Sequence, residues 1–96
     1  MSTFTNLLGF VRSYDEGSII TRKEIMKRVN GLHVTLDQYR LHFTRAGYLN
    51  HVGRGKYELV RRPSLNLYAR ELRRQAYPWW REWEEYRHLK PQNNDN

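Results

Sequence analysis

The side chains in this sequence with the clearest chemical capability are basic residues near two turns. Arg54 lies in a glycine-rich turn with Lys56 beside it, and Arg22 and Lys23 form a second basic pair earlier in the chain. Guanidinium and ammonium groups form charge-assisted hydrogen bonds with phosphate oxygens. These four side chains are therefore candidates for holding phosphate groups.

The charge distribution supports this interpretation. The chain has 17 Lys and Arg against 10 Asp and Glu, a formal net charge of +7. Residues 32–62 hold only Asp37 and Glu58 as acids, and their bases are Arg40, Arg45, Arg54, Lys56, Arg61 and Arg62. A surface of this sign attracts polyanions without sequence preference.

The sequence lacks the patterns typical of catalysis and metal binding. It has no cysteine, no His-Glu-x-x-His and no Gly-x-Ser-x-Gly. The histidines, which lack a metal-ligand spacing, are His33, His42, His51 and His88. We therefore expect neither an enzyme nor a metal or other cofactor.

Length and hydropathy narrow the class of protein. The 96 residues are enough for one small domain. No apolar run approaches the roughly 18 residues that span a bilayer, and the N-terminus lacks the layout of a signal peptide. With no cysteine, the chain is typical of an intracellular protein. We expect a cytoplasmic or nucleoid-associated protein without a membrane partner.

Residues 35–61 predict a helix followed by a β-hairpin. Thr35 with Gln38 is typical of a capping box, and Gly47 is typical of the left-handed residue after a helix. Two β-prone runs, 48–52 and 56–60, then flank the glycine-rich turn, which is a hairpin signal. The helix buries one face through the apolar residues Leu36, Tyr39 and Phe43.

The residues before this stretch predict two further helices and a strand. Residues 3–14 carry an apolar helical stripe, and residues 18–20 are a short β-prone run expected to pair with the hairpin. Thr21 with Glu24 forms another capping box. The second helix ends at the Asn-Gly pair of residues 30–31.

This order of elements, together with FTRAGYL at 43–49 and GRGKYEL at 53–59, resembles the winged helix-turn-helix superfamily over about residues 3–62. The resemblance implies an α+β, mainly α, fold of three helices and a small antiparallel hairpin wing. It implies a domain over 1–62 that binds double-stranded DNA, with the third helix in the major groove and the wing on phosphates. The implied role is a small transcriptional regulator of the kind that phages and mobile elements encode.

The resemblance also nominates individual residues. The phosphate contacts would come from Arg22, Lys23, Arg54 and Lys56. Gln pairs with adenine, Arg with guanine, and Asp accepts from cytosine. The recognition-helix candidates are Thr35, Asp37, Gln38, Leu41, His42 and Arg45.

Two of these candidates leave other functions open. Asp37 repels phosphates, and Leu41 places an apolar group at the centre of the outward face. Leu41 contacts either a thymine methyl group or a protein. A winged helix that docks on a transcription or replication component is therefore the first alternative, and a winged helix that binds RNA is the second.

Residues 63–90 predict a C-terminal helical extension, capped by Ser64 and kinked at Pro78. Its aromatic cluster favours homodimerisation, because exposed apolar patches mark interfaces. Packing on the first helix and stacking on nucleic acid are the alternatives. Residues 91–96 predict a disordered tail. The expected dimer interface comprises Leu72, Trp79, Trp80, Trp83 and Tyr86.

Overall fold

The structure is a computed structural model that describes residues 2–79 and residue 86. Within these residues the chain forms an α+β domain of four helices and one three-stranded antiparallel sheet, which confirms the predicted fold class at this level. No helix in this part of the chain is long and apolar enough to cross a membrane. The elements are α1 (Thr3–Arg12), β1 (Ile19–Thr21), α2 (Arg22–Arg28), α3 (His33–Arg45), β2 (Leu49–Gly53), β3 (Lys56–Leu59) and α4 (Ala69–Ala76).

The hydrophobic core joins α1, α3, the sheet and α4. Phe43 of α3 is fully buried and stacks on Phe4 of α1, with ring centroids 6.1 Å apart. Leu72 of α4 is buried in the same cluster, so the C-terminal helix packs on the domain. In the helical stripe predicted for α1, Leu7, Leu8 and Val11 are buried and Phe10 is half-buried; Phe4, outside the predicted stripe, is buried as well.

One of the two hydrogen bonds of the capping box predicted for the second helix is present. The backbone N–H of Glu24 donates to Oγ1 of Thr21 at 3.1 Å, and Thr21 is the N-cap of α2. This bond satisfies one of the amide groups that a helix start leaves unpaired. It also fixes the point where β1 turns into α2.

The start predicted for α3 is wrong. The helix begins at His33 with Leu32 as its N-cap, and no side chain caps it, so Thr35 lies within the first turn. Gly31 explains the difference. It has a φ of +152°, and a Cβ there would lie 2.5 Å from Cγ2 of Thr3. The chain turns against α1 at this glycine, and α3 starts two residues later.

The predicted end of α3 is confirmed. Gly47 is left-handed, with a φ of +89°. The N–H of Gly47 donates to the carbonyl of Thr44 at 3.1 Å, and the N–H of Tyr48 donates to the carbonyl of Phe43 at 2.9 Å. This pair of bonds is the Schellman arrangement. The turn directs the chain from α3 into β2.

The hairpin and its third strand are confirmed. The sheet order is β1-β3-β2, with both pairs antiparallel. Arg54 and Gly55 form the turn between β2 and β3, and Gly55 has a φ of +66°. The N–H of Arg22 donates to the carbonyl of Gly55 at 2.8 Å, which ties the start of α2 to the tip of the hairpin.

The predicted start of the C-terminal helix is wrong, because Ser64 lies in a turn and α4 begins at Ala69. The predicted interruption lies at Tyr77, which has φ −133° and ψ 82°, and Pro78 and Trp79 are helical again. The residue before a proline disfavours the helical region, which accounts for the break. The predicted tail at 91–96 lies outside the described residues.

Candidate nucleic-acid interface

Basic side chains from two distant parts of the sequence line one depression beside α3, which we name the basic depression. The structure brings together all four predicted phosphate contacts, together with Lys27 and His33. Lys27 follows Lys23 by one helical turn, a spacing that would have revealed it in the sequence. The basic side chains lining the depression are Arg22, Lys23, Lys27, Arg54 and Lys56.

Backbone pairing holds the two halves of this depression together. Thr21 lies opposite Lys56 in the β1–β3 register. With the hydrogen bond from Arg22 to Gly55, this pairing places the start of α2 against the hairpin turn. Five positive charges from residues 22–27 and 54–56 therefore line a single surface that attracts an anion.

One acidic side chain borders the depression, and two arginines neutralise it. Asp37 accepts hydrogen bonds from Arg22, both at 2.9 Å. Arg40 contacts the same carboxylate at 3.3 Å and also donates to the hydroxyl of Tyr57. The hydrogen bond from Arg22 holds the pKa of Asp37 below its usual range, and the same bond raises the pKa of Arg22. Asp37 is therefore held toward α2.

The outward face of α3 carries a mixture of polar and apolar groups. Gln38 and Arg45 are exposed, as the helical spacing predicts. Val34 and Leu41 on the same face are 71% and 43% exposed. The guanidinium of Arg45 lies 4.7 Å from the centre of the Tyr77 ring, so it stacks on the residue that follows α4.

His42 does not reach this outward face, so its predicted base contact is wrong. It is 9% exposed and lies edge-on to Tyr77, with ring centroids 5.4 Å apart. Burial lowers the pKa of His42, and Arg73 and Arg45 lower it further. His42 lies on a flank of α3, and α4 packs against that flank. Only the packing of α4 decides this burial.

A second depression, the α3–α4 groove, lies along that flank. Leu41 and Gln38 form one wall, and Arg70 and Arg73 form the other. Aromatic rings from Tyr39, His42, Tyr77 and Trp79 complete it. The groove combines positive charge with apolar surface next to the outward face of α3.

The predicted dimer residues separate into three groups. Leu72 is fully buried in the chain's own core, so that prediction is wrong. Trp79 and Tyr86 are 60% and 59% exposed. Trp80 and Trp83 lie outside the described residues.

Across residues 2–79 and 86, no group of three His, Asp or Glu side chains lies close enough to hold a metal ion. No protein-family model, no curated protein and no solved structure matches this chain.

Proposed function

We propose that this protein is a winged helix-turn-helix protein that binds double-stranded DNA and acts as a small transcriptional regulator. In this proposal α3 enters the major groove, and the basic depression holds the phosphates beside it. The order helix, strand, helix, helix, hairpin supports the superfamily, as does the short glycine turn from α2 into α3.

The observation that carries the proposal is the convergence of Arg22, Lys23, Lys27, Arg54 and Lys56 on one surface next to α3. Phosphate contacts from basic side chains position a protein on a duplex, and base contacts from a neighbouring element then specify the sequence. A basic surface alone would serve any polyanion. A basic surface placed beside the exposed face of a 13-residue helix suits a duplex groove.

The base contacts in this proposal come from Gln38 and Arg45 on the outward face of α3. Both side chains can form bidentate hydrogen bonds with purines in the major groove. Arg45 stacks on Tyr77, and a stacked guanidinium loses less freedom on binding than a mobile one. Leu41, which lies between them on this face, would contact a thymine methyl group.

The proposed assembly is a homodimer that uses the exposed aromatic groups Trp79 and Tyr86. Exposed apolar groups of this size favour an interface. Two copies would place their α3 helices on successive major grooves, roughly 34–36 Å apart along the duplex.

Protein recognition is the second candidate, and the exposure of three apolar side chains favours it. Leu32 is 72% exposed, and with Val34 and Leu41 it gives α3 and its N-cap apolar surface. A partner protein that buries these groups would gain the hydrophobic free energy of their burial.

The test measures the binding of random-sequence duplex DNA by fluorescence anisotropy, at salt concentrations from about 50 to about 200 mM. The proposal expects micromolar affinity that falls steeply with salt. Absence of binding at about 50 mM salt would exclude DNA binding through this surface. Equal competition by duplex RNA would move the assignment to RNA.

A further inference from the structure

We propose that α4 supplies a second phosphate-binding edge, so that the protein holds a DNA duplex from both sides of α3. This inference rests on the proposed DNA-binding function. It adds a contact surface outside the hairpin and α2. In this inference Arg70 and Arg73 contact the phosphates of the second DNA strand.

The first observation is the placement of the two arginines. Arg70 and Arg73 are exposed and three residues apart on α4, so they project from the same side of the helix. Both line the α3–α4 groove opposite Gln38 and Leu41.

The second observation is that α4 is firmly attached to the domain. Leu72 is fully buried in the core. The hydroxyl of Tyr48 donates to Oε1 of Gln75 at 2.6 Å, which joins α4 to the end of α3. The two arginines therefore extend from a helix whose position relative to α3 is fixed by packing.

The third observation is that the two basic surfaces flank the outward face of α3, about 100° apart around the helix axis. Asp37 contacts Arg22 of the basic depression, whereas its neighbour Gln38 lines the α3–α4 groove. Successive helical residues are 100° apart, so the outward face of α3 lies between the two surfaces. A helix with its side chains is roughly 10–12 Å wide, which matches the major groove of B-DNA. The phosphates of the two strands would then fall on the two sides.

This arrangement selects B-form duplex DNA as the partner. A-form RNA has a deep and narrow major groove that excludes a helix. A single strand offers one line of phosphates and would occupy one surface. A duplex whose major groove holds α3 would occupy both basic surfaces, one with each strand.

The experiment measures anisotropy with a random-sequence DNA duplex about two helical turns long, across the same salt range. The test variant is Arg70→Gln/Arg73→Gln, and the control Arg28→Gln/Arg62→Gln removes the same charge from exposed positions that line neither depression. Circular dichroism confirms that both are folded. We expect the test variant to lose roughly tenfold in affinity and about two units of salt slope, with the control near wild type.

Two companion variants separate this inference from the proposed function. Lys23→Gln/Arg54→Gln removes charge from the basic depression, and Arg70→Lys/Arg73→Lys keeps the charge of α4 and should restore the salt slope. If wild type binds and only the Lys23/Arg54 variant weakens, α4 is not a contact edge and the proposed function stands. If wild type itself fails to bind, both proposals are wrong. Equal binding of A-form RNA would overturn the assignment to B-form DNA.

Discussion

Arg22 and Asp37 form a two-point ion pair, with both hydrogen bonds at 2.9 Å, between the first residue of α2 and the outer flank of α3. The pair lies at the border between the basic depression and the outward face of α3. The acid beside the depression is therefore paired with one of its cations.

This pairing predicts that Asp37→Asn binds DNA more tightly. The substitution removes a negative charge beside the proposed phosphate-binding surface and releases the guanidinium of Arg22. We expect affinity for random-sequence duplex to rise by roughly threefold to tenfold at low salt. Solvent screens this ion pair, so its loss should lower the stability measured in a urea titration only slightly. Asp15→Asn is the matched control, because Asp15 pairs with Arg62 away from both depressions. Unchanged or weaker DNA binding by Asp37→Asn would contradict the prediction.

Arg54→Ala should weaken binding to all DNA sequences by a similar factor. Arg54 lies at the hairpin turn and would contact phosphate, which carries no sequence information. The salt slope should fall by about one, measured by anisotropy against two unrelated duplexes. Arg28→Ala removes an equal charge outside both depressions. An affinity equal to that of wild type would remove the hairpin from the interface.

The stability of the protein should fall as the pH drops below about 6.5, the ordinary pKa of histidine. Burial lowers the pKa of His42 in the folded state, with Arg73 and Arg45 adding to the shift. The unfolded chain then binds a proton that the folded chain excludes, so the stability present above pH 6.5 is lost on acidification. Urea titrations from neutral to mildly acidic pH would measure this loss.

The matched comparison is His42→Phe, which keeps an aromatic ring but does not titrate. Its stability should vary less with pH over this range. His33→Phe, which replaces an exposed histidine, is the control variant. Equal pH dependence in His42→Phe and wild type would show that another group is responsible.

Gly31→Ala should destabilise the fold by about 1–3 kcal/mol. The new Cβ would lie 2.5 Å from Cγ2 of Thr3, at a φ of +152° that side chains rarely adopt. Gly9→Ala is the control, since its Cβ would meet no atom within 4 Å and the residue lies in α1. It should stabilise by about 0.5–1 kcal/mol. Thermal unfolding of both variants measures the two effects. A Gly31→Ala variant as stable as the wild type would contradict the expected clash with Thr3.

Trp79→Ala should convert the proposed dimer to a monomer in sedimentation velocity. Trp79 is 60% exposed, and its loss would remove a large part of the apolar interface. Tyr68→Ala removes another exposed aromatic group, 57% exposed, at the opposite end of α4 and should leave the dimer intact. A dimer of unchanged stability in Trp79→Ala would exclude this residue from the interface.

The sequence alone determined the features that depend on residues close together in the chain. The cap at Thr21 requires a hydroxyl three residues before an amide. The end of α3 requires a glycine with a positive φ. The hairpin requires β-prone runs on either side of a glycine turn. Each of these signals acts within about four residues, so it can be read without knowledge of the rest of the fold.

Tertiary structure decided the features that depend on distant segments. Gly31 lies against the side chain of Thr3 in α1, and α3 begins at His33, two residues before the predicted cap Thr35. The packing of α4 buries His42 and Leu72, although His42 was expected to contact bases and Leu72 to lie in a dimer interface. Asp37 forms an ion pair with Arg22, which lies fifteen residues away in the sequence. Helical periodicity gives the direction of a side chain around its own axis, but only the packing of other elements determines what that side chain meets.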